Sequence, residues 1–367
     1  MSLEYESFVK HVLSGQEGIF FSVKNEVVGH KVYYGWGKKS AADFDQGPFP
    51  IFSITDFKGN KNLAWNFESF ETASIEASDI EIEILEHYKS PLGEIDLGAS
   101  AFETQTSFVS KIEALQTQAR AGEFWVANFT QALGGSLPPE ADAHLLALKT
   151  FYEFLKLGKN HCGGVVITKE QIFCSLSPEI FLVQNENRLQ TFPIKGTGTE
   201  EALRFSEKEI AELHMITDLM RNDLGQICDK VWLERERYLT KEQNFYHARS
   251  EVNGTLPDSV LKQSQYKKLL PAGSISGAPK ARVLSLLKDV ESFDRNFYTG
   301  TFGVRLSPEK SIFNILIRTL FLDPTEQNWQ FPVGAGITIE SDPSAEWSET
   351  LQKAEVLKDC LKPKLLP

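Results

Sequence analysis

Lys195 lies within Pro193-Ile194-Lys195-Gly196-Thr197, a lysine set between a proline and a glycine. A lysine whose pKa is lowered by desolvation or by neighbouring cations can act as a covalent nucleophile. Upstream, Ser177-Pro178-Glu179 supplies a candidate acid. Two Glu-x-x-Glu pairs follow, Glu209/Glu212 and Glu346/Glu349. Residues three apart share a helix face, so each pair presents two carboxylates to one side. If the helices meet, four carboxylates converge, and such a cluster needs a divalent cation. All-oxygen ligands without His or Cys point to Mg2+, which takes one or two carboxylates directly and keeps several waters. Solvated helix faces and a lysine in an exposed turn account for the same spacings.

His247, in Phe245-Tyr246-His247-Ala248-Arg249, is a candidate proton carrier or a packed core histidine. Pro271 to Lys280 is a run of small residues that leads into a helix and contains Ser274. Its backbone N–H groups and the helix N-terminus can approach an anion. Val333-Gly334-Ala335-Gly336-Ile337 offers a second close-approach backbone. Arg318 falls in the apolar run Phe313 to Thr319, where a charge needs a partner and a bidentate carboxylate is the natural one. Lys353 follows Glu349 by four residues, the spacing of a helix salt bridge.

These residues must be positioned by a mixture of strands and helices. Runs from about Gly18 to Asn66, and the alternation over Asp79 to Ile84, predict strands. Helical spacing covers Ser107 to Ala121, Leu145 to Leu157 and Glu207 to Leu224. Strands are expected over Phe124 to Gln131, Gly163 to Thr168, Gln171 to Leu176 and Ile180 to Val183, with a polar loop over Gly134 to Ala143. Tyr298 to Arg305 and Ser311 to Leu322 predict a hairpin. Asp342 as cap and Pro343 at the first helical position start a last helix that runs to Leu361. The fold class is α+β, one interleaved unit with a β-rich part over 1–100 and a catalytic region over 101–367.

The chain of 367 residues carries a net charge of −12 and no basic cluster, which argues against nucleic acid and anionic membrane as partners. It shows no signal peptide and no apolar run long enough to span a membrane. Cys162, Cys174, Cys228 and Cys360 lack zinc-site spacing and read as buried thiols of a cytoplasmic protein.

The ordered set Ser177-Pro178-Glu179, Pro193 to Thr197, Glu212 through Asp218 to Leu224, Gly273 to Lys280, Val333 to Ile337 and Glu346-Trp347-Ser348-Glu349-Thr350 resembles the chorismate-utilising enzymes. Among them it is most similar to the aminodeoxychorismate synthase component I branch. The resemblance implies a large two-sheet α/β sandwich with chorismate between the sheets. It implies Mg2+ held by Glu212 and Glu349 directly and by Glu209 and Glu346 through water. Arg318, Tyr298, Gly336 and Lys353 would hold the substrate carboxylates, with Thr197 and Ser274 also lining the pocket. Glu179, helped by His247, would protonate the departing C4 hydroxyl.

Anthranilate synthases typically carry alanine where Lys195 stands, whereas aminodeoxychorismate synthases carry lysine as the nucleophile. Water-using relatives place a lysine on the strand Trp125 to Gln131, where this chain has Val126. A Leu-Leu-Glu-Ser segment is missing, so tryptophan feedback is not expected. A Gly-x-Cys-x-Gly motif is also missing, so ammonia is expected from a separate glutamine amidotransferase subunit. The alternatives are an anthranilate synthase component I and a non-catalytic chorismate-binding subunit.

Overall fold

In the computed structural model, which describes residues 2–25, 29–73, 100–101, 103–139, 141–157, 161–242 and 245–361, the apolar runs pair into one long ladder. Its strands are β1 (Gly18–Asn25), β2 (Gly29–Ala41), β3 (Ile51–Thr55), β4 (Asn62–Ala73), β5 (Ser100–Ala101), β6 (Val126–Ser136), β7 (His161–Ile167), β8 (Ile172–Ser175) and β9 (Ile180–Asn185). They continue as β10 (Arg188–Thr191), β11 (Ile194–Gly198), β12 (Lys230–Glu242), β13 (Phe245–Thr255), β14 (Gly277–Ala278), β15 (Thr301–Ser307), β16 (Lys310–Ile315), β17 (Thr319–Asp323) and β18 (Asn328–Ile337). The helices are α1 (Ser2–Leu13), α2 (Gln105–Arg120), α3 (Ala143–Lys156), α4 (Glu200–Phe205), α5 (Glu207–Gly225), α6 (Gln263–Lys268), α7 (Lys280–Val290) and α8 (Pro343–Leu361).

All strand pairings are antiparallel. The ladder runs β6–β18–β17–β8–β7–β1–β2–β4–β3–β15–β16–β9–β10–β13–β12, with β11 beside β10 along β13. It folds back on itself. Phe302 of β15 packs edge-on against Phe21 of β1 at 5.0 Å and against Phe173 of β8 at 5.3 Å. Asn314 Nδ2 of β16 donates across this interior to the Cys162 carbonyl at 2.7 Å. The expected two layers are therefore two leaves of one continuous sheet.

Helices cover the outside. On β18, Trp329, Phe331 and Val333 pack into a core shared with α3 and α8, and Ala335 and Ile337 into one shared with α2 and α7. Because strand side chains alternate, Asn328, Gln330, Gly334 and Gly336 face the other way. This alternation gives the site a wall of small or polar groups backed by a rigid core. Among the described residues no helix is long and apolar enough to cross a membrane.

The helix after Asp342 forms as its cap predicts, and α5 also begins at a side-chain cap. The Ser206 side chain accepts from Glu209 N at the start of α5, and Asp342 Oδ1 accepts from Ala345 N at 2.7 Å at the start of α8. Four expectations change. The polar loop over Gly134 to Ala143 gives way to strand as far as Ser136, because Gly134 and Ser136 pair with Gln330 and Asn328 of β18. Pairing overrides the weak strand propensity of glycine there. The run Ser311 to Leu322 is split: β16 ends at Ile315, and Arg318 adopts φ 48° before β17 begins. Tyr298 stands in the turn before β15. The expected strand Asp79 to Ile84 lies outside the described residues. Cys162, Cys174 and Cys360 are buried thiols, whereas Cys228 is only partly buried.

Candidate active site

Lys195 is carried by β11, whose pairing with β13 shifts register between Lys195 and Thr197. The extra residue is Gly196, with φ 81°. That left-handed conformation favours glycine, and a methyl there would also stand 2.6 Å from Glu209 Oε2 of α5 and 2.7 Å from Leu203 Cδ2 of α4. The close approach of α5 brings Glu212, buried on that helix, to the lysine: Nζ and Oε2 are 3.4 Å apart. Gly336 of β18 closes the third side. A methyl on it would lie 2.7 Å from Lys195 Nζ and 3.9 Å from Glu212 Oε2. Lys195 and Glu212 thus meet Gly336, which lies more than a hundred residues further along the chain.

Burial disfavours the charge on Lys195, but Glu212, Glu349 and Glu209 together outweigh it and raise the pKa. The neutral amine expected of a nucleophile is not the state this arrangement favours. Glu209 and Glu349, expected beside Glu212, thus act with it on one ammonium. Glu346 is buried one turn before the exposed Glu349 on α8.

Glu179 sits at the entry to β9, where its N–H donates to Ser177 Oγ at 3.2 Å and its carbonyl accepts from Ile315 N at 3.2 Å. Its side chain is 6% exposed. Burial pushes the carboxyl up to about 7, while a hydrogen bond from Ser274 and the charges of Arg249, Lys195 and Arg318 pull it down. Arg249 was not among the expected site residues. It is buried on β13, with Nε donating to Thr240 Oγ1 at 3.0 Å. Its signal in the sequence was a lone arginine closing the strand segment that contains His247. The cation that β13 directs toward Glu179 is Arg249; His247, also buried, lies opposite Thr197 and Thr240. The Thr197 side chain lies outside the described residues.

Arg318, placed by the break between β16 and β17, acts on Glu179, on Tyr298 and on Lys353. Burial raises the pKa of the Tyr298 hydroxyl, against the opposing charges of Arg295 and Arg318. Lys353 Nζ is 2.8 Å from Glu349 Oε1 and donates to the Gly334 carbonyl at 2.6 Å. The helix salt bridge and the contact to the glycine strand are thus made by one ammonium. Burial lowers its pKa, Lys195 and Arg318 push the same way, and Glu349 opposes them. Lys195, Arg318 and Lys353 therefore share one neighbourhood, a setting that favours an anionic ligand. A cavity of about 970 Å3, lined by Thr168, Glu170, Arg295, Asn328 and Gln330 among others, shares only Tyr298 with the expected site residues. The cluster of charged groups around Lys195 lies apart from that cavity.

The donor set suits a hard divalent ion. Glu212, Glu209 and Glu349 surround one ammonium, and Glu346 is buried on the same helix as Glu349. The carboxylates outnumber the cations beside them, and an oxygen-only set matches Mg2+. Among the described residues no three His, Cys, Asp or Glu side chains stand at metal-ligand spacing. Mg2+ commonly takes only one or two carboxylates directly, so Glu212 and Glu349 are the residues that could hold it here.

The chain is similar to proteins of known family and fold. Anthranilate synthase component 1 1 of Haloarcula marismortui is 31% identical over 267 residues, 69% of this chain and 53% of that protein. A Schizosaccharomyces pombe protein provisionally named aminodeoxychorismate synthase is 31% identical over 265 residues, 69% of this chain and 36% of that protein. The matches span about half or less of the length of these two relatives. The menaquinone-specific isochorismate synthase of Escherichia coli shares the fold, with a TM-score of 0.72 over 95% of this chain and 89% of that one at 17% identity. Residues 53–359, which hold every residue of the site just described, match the family described as chorismate binding enzyme, and the chain belongs to that family.

Proposed function

We propose that the chain aminates chorismate to 4-amino-4-deoxychorismate, using ammonia from a separate glutamine amidotransferase subunit. The observation that carries this reading is Lys195, which stands in the cleft between Glu212 and Gly336 with a protonatable Glu179 in its electrostatic reach. Relatives named PabA-like protein, such as the one from Pasteurella multocida at 36% identity over 196 residues, lend support. Arg318 and Lys353 are the chain's own cations for the substrate carboxylates. A Mg2+ ion on Glu212 and Glu349 would supply further positive charge against the ring carboxylate.

Glu179, with its carboxyl near 7, is protonated in about half of the molecules at neutral pH, and that fraction can give its proton to the C4 hydroxyl. Lys195 Nζ forms a bond to C2, the two ring double bonds shift, and the C4 hydroxyl leaves as water. Ammonia then bonds to C4 and the double bonds shift back, and as the C2–Nζ bond breaks Nζ takes up one proton, balanced by the one the incoming nitrogen gives up, to release the lysine as a neutral amine. Before attack, Nζ must lose the proton that Glu212, Glu349 and Glu209 hold on it. Burial favours that loss once the charge of those carboxylates is offset. Two displacements at the two ends of one conjugated system return the nitrogen to C4.

The test is a product assay with chorismate, ammonium and Mg2+, followed by addition of a lyase that releases pyruvate from 4-amino-4-deoxychorismate. The expected end product is para-aminobenzoate, and Lys195→Ala should abolish it. Anthranilate as the product would replace this reading with the anthranilate synthase one, which the Haloarcula relative favours.

A further inference from the structure

Arg295 and Glu291 form a buried ion pair between α7 and β15, with side chains only 3% and 8% exposed. Arg295 Nε donates to Glu291 Oε2 at 2.9 Å and Nη2 to Oε1 at 2.5 Å. Nη2 also donates to the Asn128 carbonyl at 2.5 Å, and Nη1 to the Ile275 carbonyl at 3.0 Å and to Thr299 Oγ1 at 3.4 Å. All five N–H groups of the guanidinium are thus used, so Arg295 has none to give a substrate, although it lines the cavity. Glu291 Oε1 accepts from Thr130 N at 3.1 Å and from Thr130 Oγ1 at 2.7 Å. Asn128 and Thr130 lie opposite Gly336 and Gly334 of β18, so the pair grips the strand beside the glycine wall.

The pair also reaches the turn that carries Tyr298. The Arg295 carbonyl accepts from Tyr298 N at 2.7 Å, and Thr299 Oγ1 donates to the Tyr298 carbonyl at 2.6 Å. The Phe57 ring covers the guanidinium at 4.4 Å, and Phe57 N donates to the Asn296 carbonyl at 2.9 Å. Thr299, fully buried, has φ 60°, a conformation that a β-branched residue adopts only where its surroundings impose it. Thr299 N and the Gly300 carbonyl in turn bond to Leu316, two residues before Arg318. Nothing in the mechanism above uses Glu291, Arg295 or Thr299.

We propose that Arg295, locked by Glu291, is a positioning residue: it holds Thr299 in its left-handed conformation and so aims Tyr298 at a substrate carboxylate. The inference rests on Tyr298 binding chorismate, not on which product forms. A lysine at position 295 keeps the charge but offers three N–H groups from one atom, so it cannot reach all of these partners at once.

The experiment measures consumption of chorismate, which reads the same for either amine product, together with thermal unfolding. The proteins are the wild type, Arg295→Lys, Thr299→Val, Thr299→Gly, the Arg295→Lys/Thr299→Gly pair and Tyr298→Phe. Arg295→Lys should raise KM for chorismate by about tenfold, the scale of one strained residue released, with kcat per folded molecule within about threefold of the wild type. Thr299→Val keeps the β-branch and loses the hydroxyl, so it should move KM the same way. Thr299→Gly frees the turn of its strain, so in the Arg295→Lys background it should bring KM back to within about threefold of the wild type. If Arg295→Lys only lowers the folded fraction and leaves KM in place, or if glycine restores nothing, the positioning role is overturned. If Tyr298→Phe leaves KM unchanged, the Tyr298 assignment fails and the inference fails with it. Should Arg295→Lys fail to fold, Thr299→Val decides, and an unmoved KM in that variant overturns the role.

Discussion

Gly336→Ala is the sharpest probe of the site. The glycine is not in a left-handed conformation, so the backbone accepts alanine without strain. The new methyl would begin 2.7 Å from Lys195 Nζ, with Val126 Cγ2 at 3.7 Å and Glu212 Oε2 at 3.9 Å. Only the lysine tip must yield, by about 0.7 Å to reach ordinary contact. A flexible side-chain end moves at small cost, so the midpoint of thermal unfolding should change by no more than about 4 °C, equivalent to roughly 1 kcal/mol or less. The displaced atom is the one that must reach C2. A misplacement of about 1 Å at a reacting centre costs about a hundredfold, so kcat should fall by about ten- to a hundredfold. Steady-state turnover of chorismate at saturating ammonium and Mg2+, with KM measured separately, reads this directly. A wild-type kcat with a folded protein would refute the placement of Lys195 Nζ as the reacting atom. A change confined to KM would assign Gly336 to substrate binding alone.

Glu179 makes stability as well as chemistry depend on pH. Its folded pKa, about 7, lies above the unfolded value of 4.5, so between those values the native state binds more protons. Stability is therefore full below about 4.5 and falls as pH rises to about 7, by about 3 kcal/mol. Glu179→Gln should remove that slope in urea unfolding at the two ends of the window and should also abolish turnover; an unchanged slope would place its cause elsewhere. Glu212→Gln should raise the Mg2+ concentration for half-maximal activity by about ten- to a hundredfold, measured by titrating chelator-treated protein; an unaltered titration would remove Glu212 from the metal site.

The site was legible mainly through local signals. Glu209/Glu212 and Glu346/Glu349 follow strong caps, Ser206 and Asp342, so both helices form where their patterns begin. Lys195 stood out through Gly196, and the reason is now physical: the bulge lets α5 close in. What the sequence hid is tertiary. Arg249 reads as an ordinary strand residue until the fold sets it beside Glu179. Gly134 reads as loop because its partner, Gln330, is nearly two hundred residues away. Arg318 reads as strand because an apolar run does not announce a residue at φ 48°. The charge state of Lys195 depends on Glu349, which only the approach of α8 supplies.

The single ladder also governs how the chain must be made. β3 cannot meet β15 until about 250 further residues have left the ribosome, which takes about 10–50 s at ordinary synthesis rates. Through that interval one edge of β3, with Phe52 and Ile54 destined for the interior, has no native strand to accept it. Such an open apolar edge recruits other chains. Long-range strand pairing of this kind also folds slowly once synthesis ends. Yield of active protein should therefore respond more to growth temperature and chaperone supply than to stability of the finished fold.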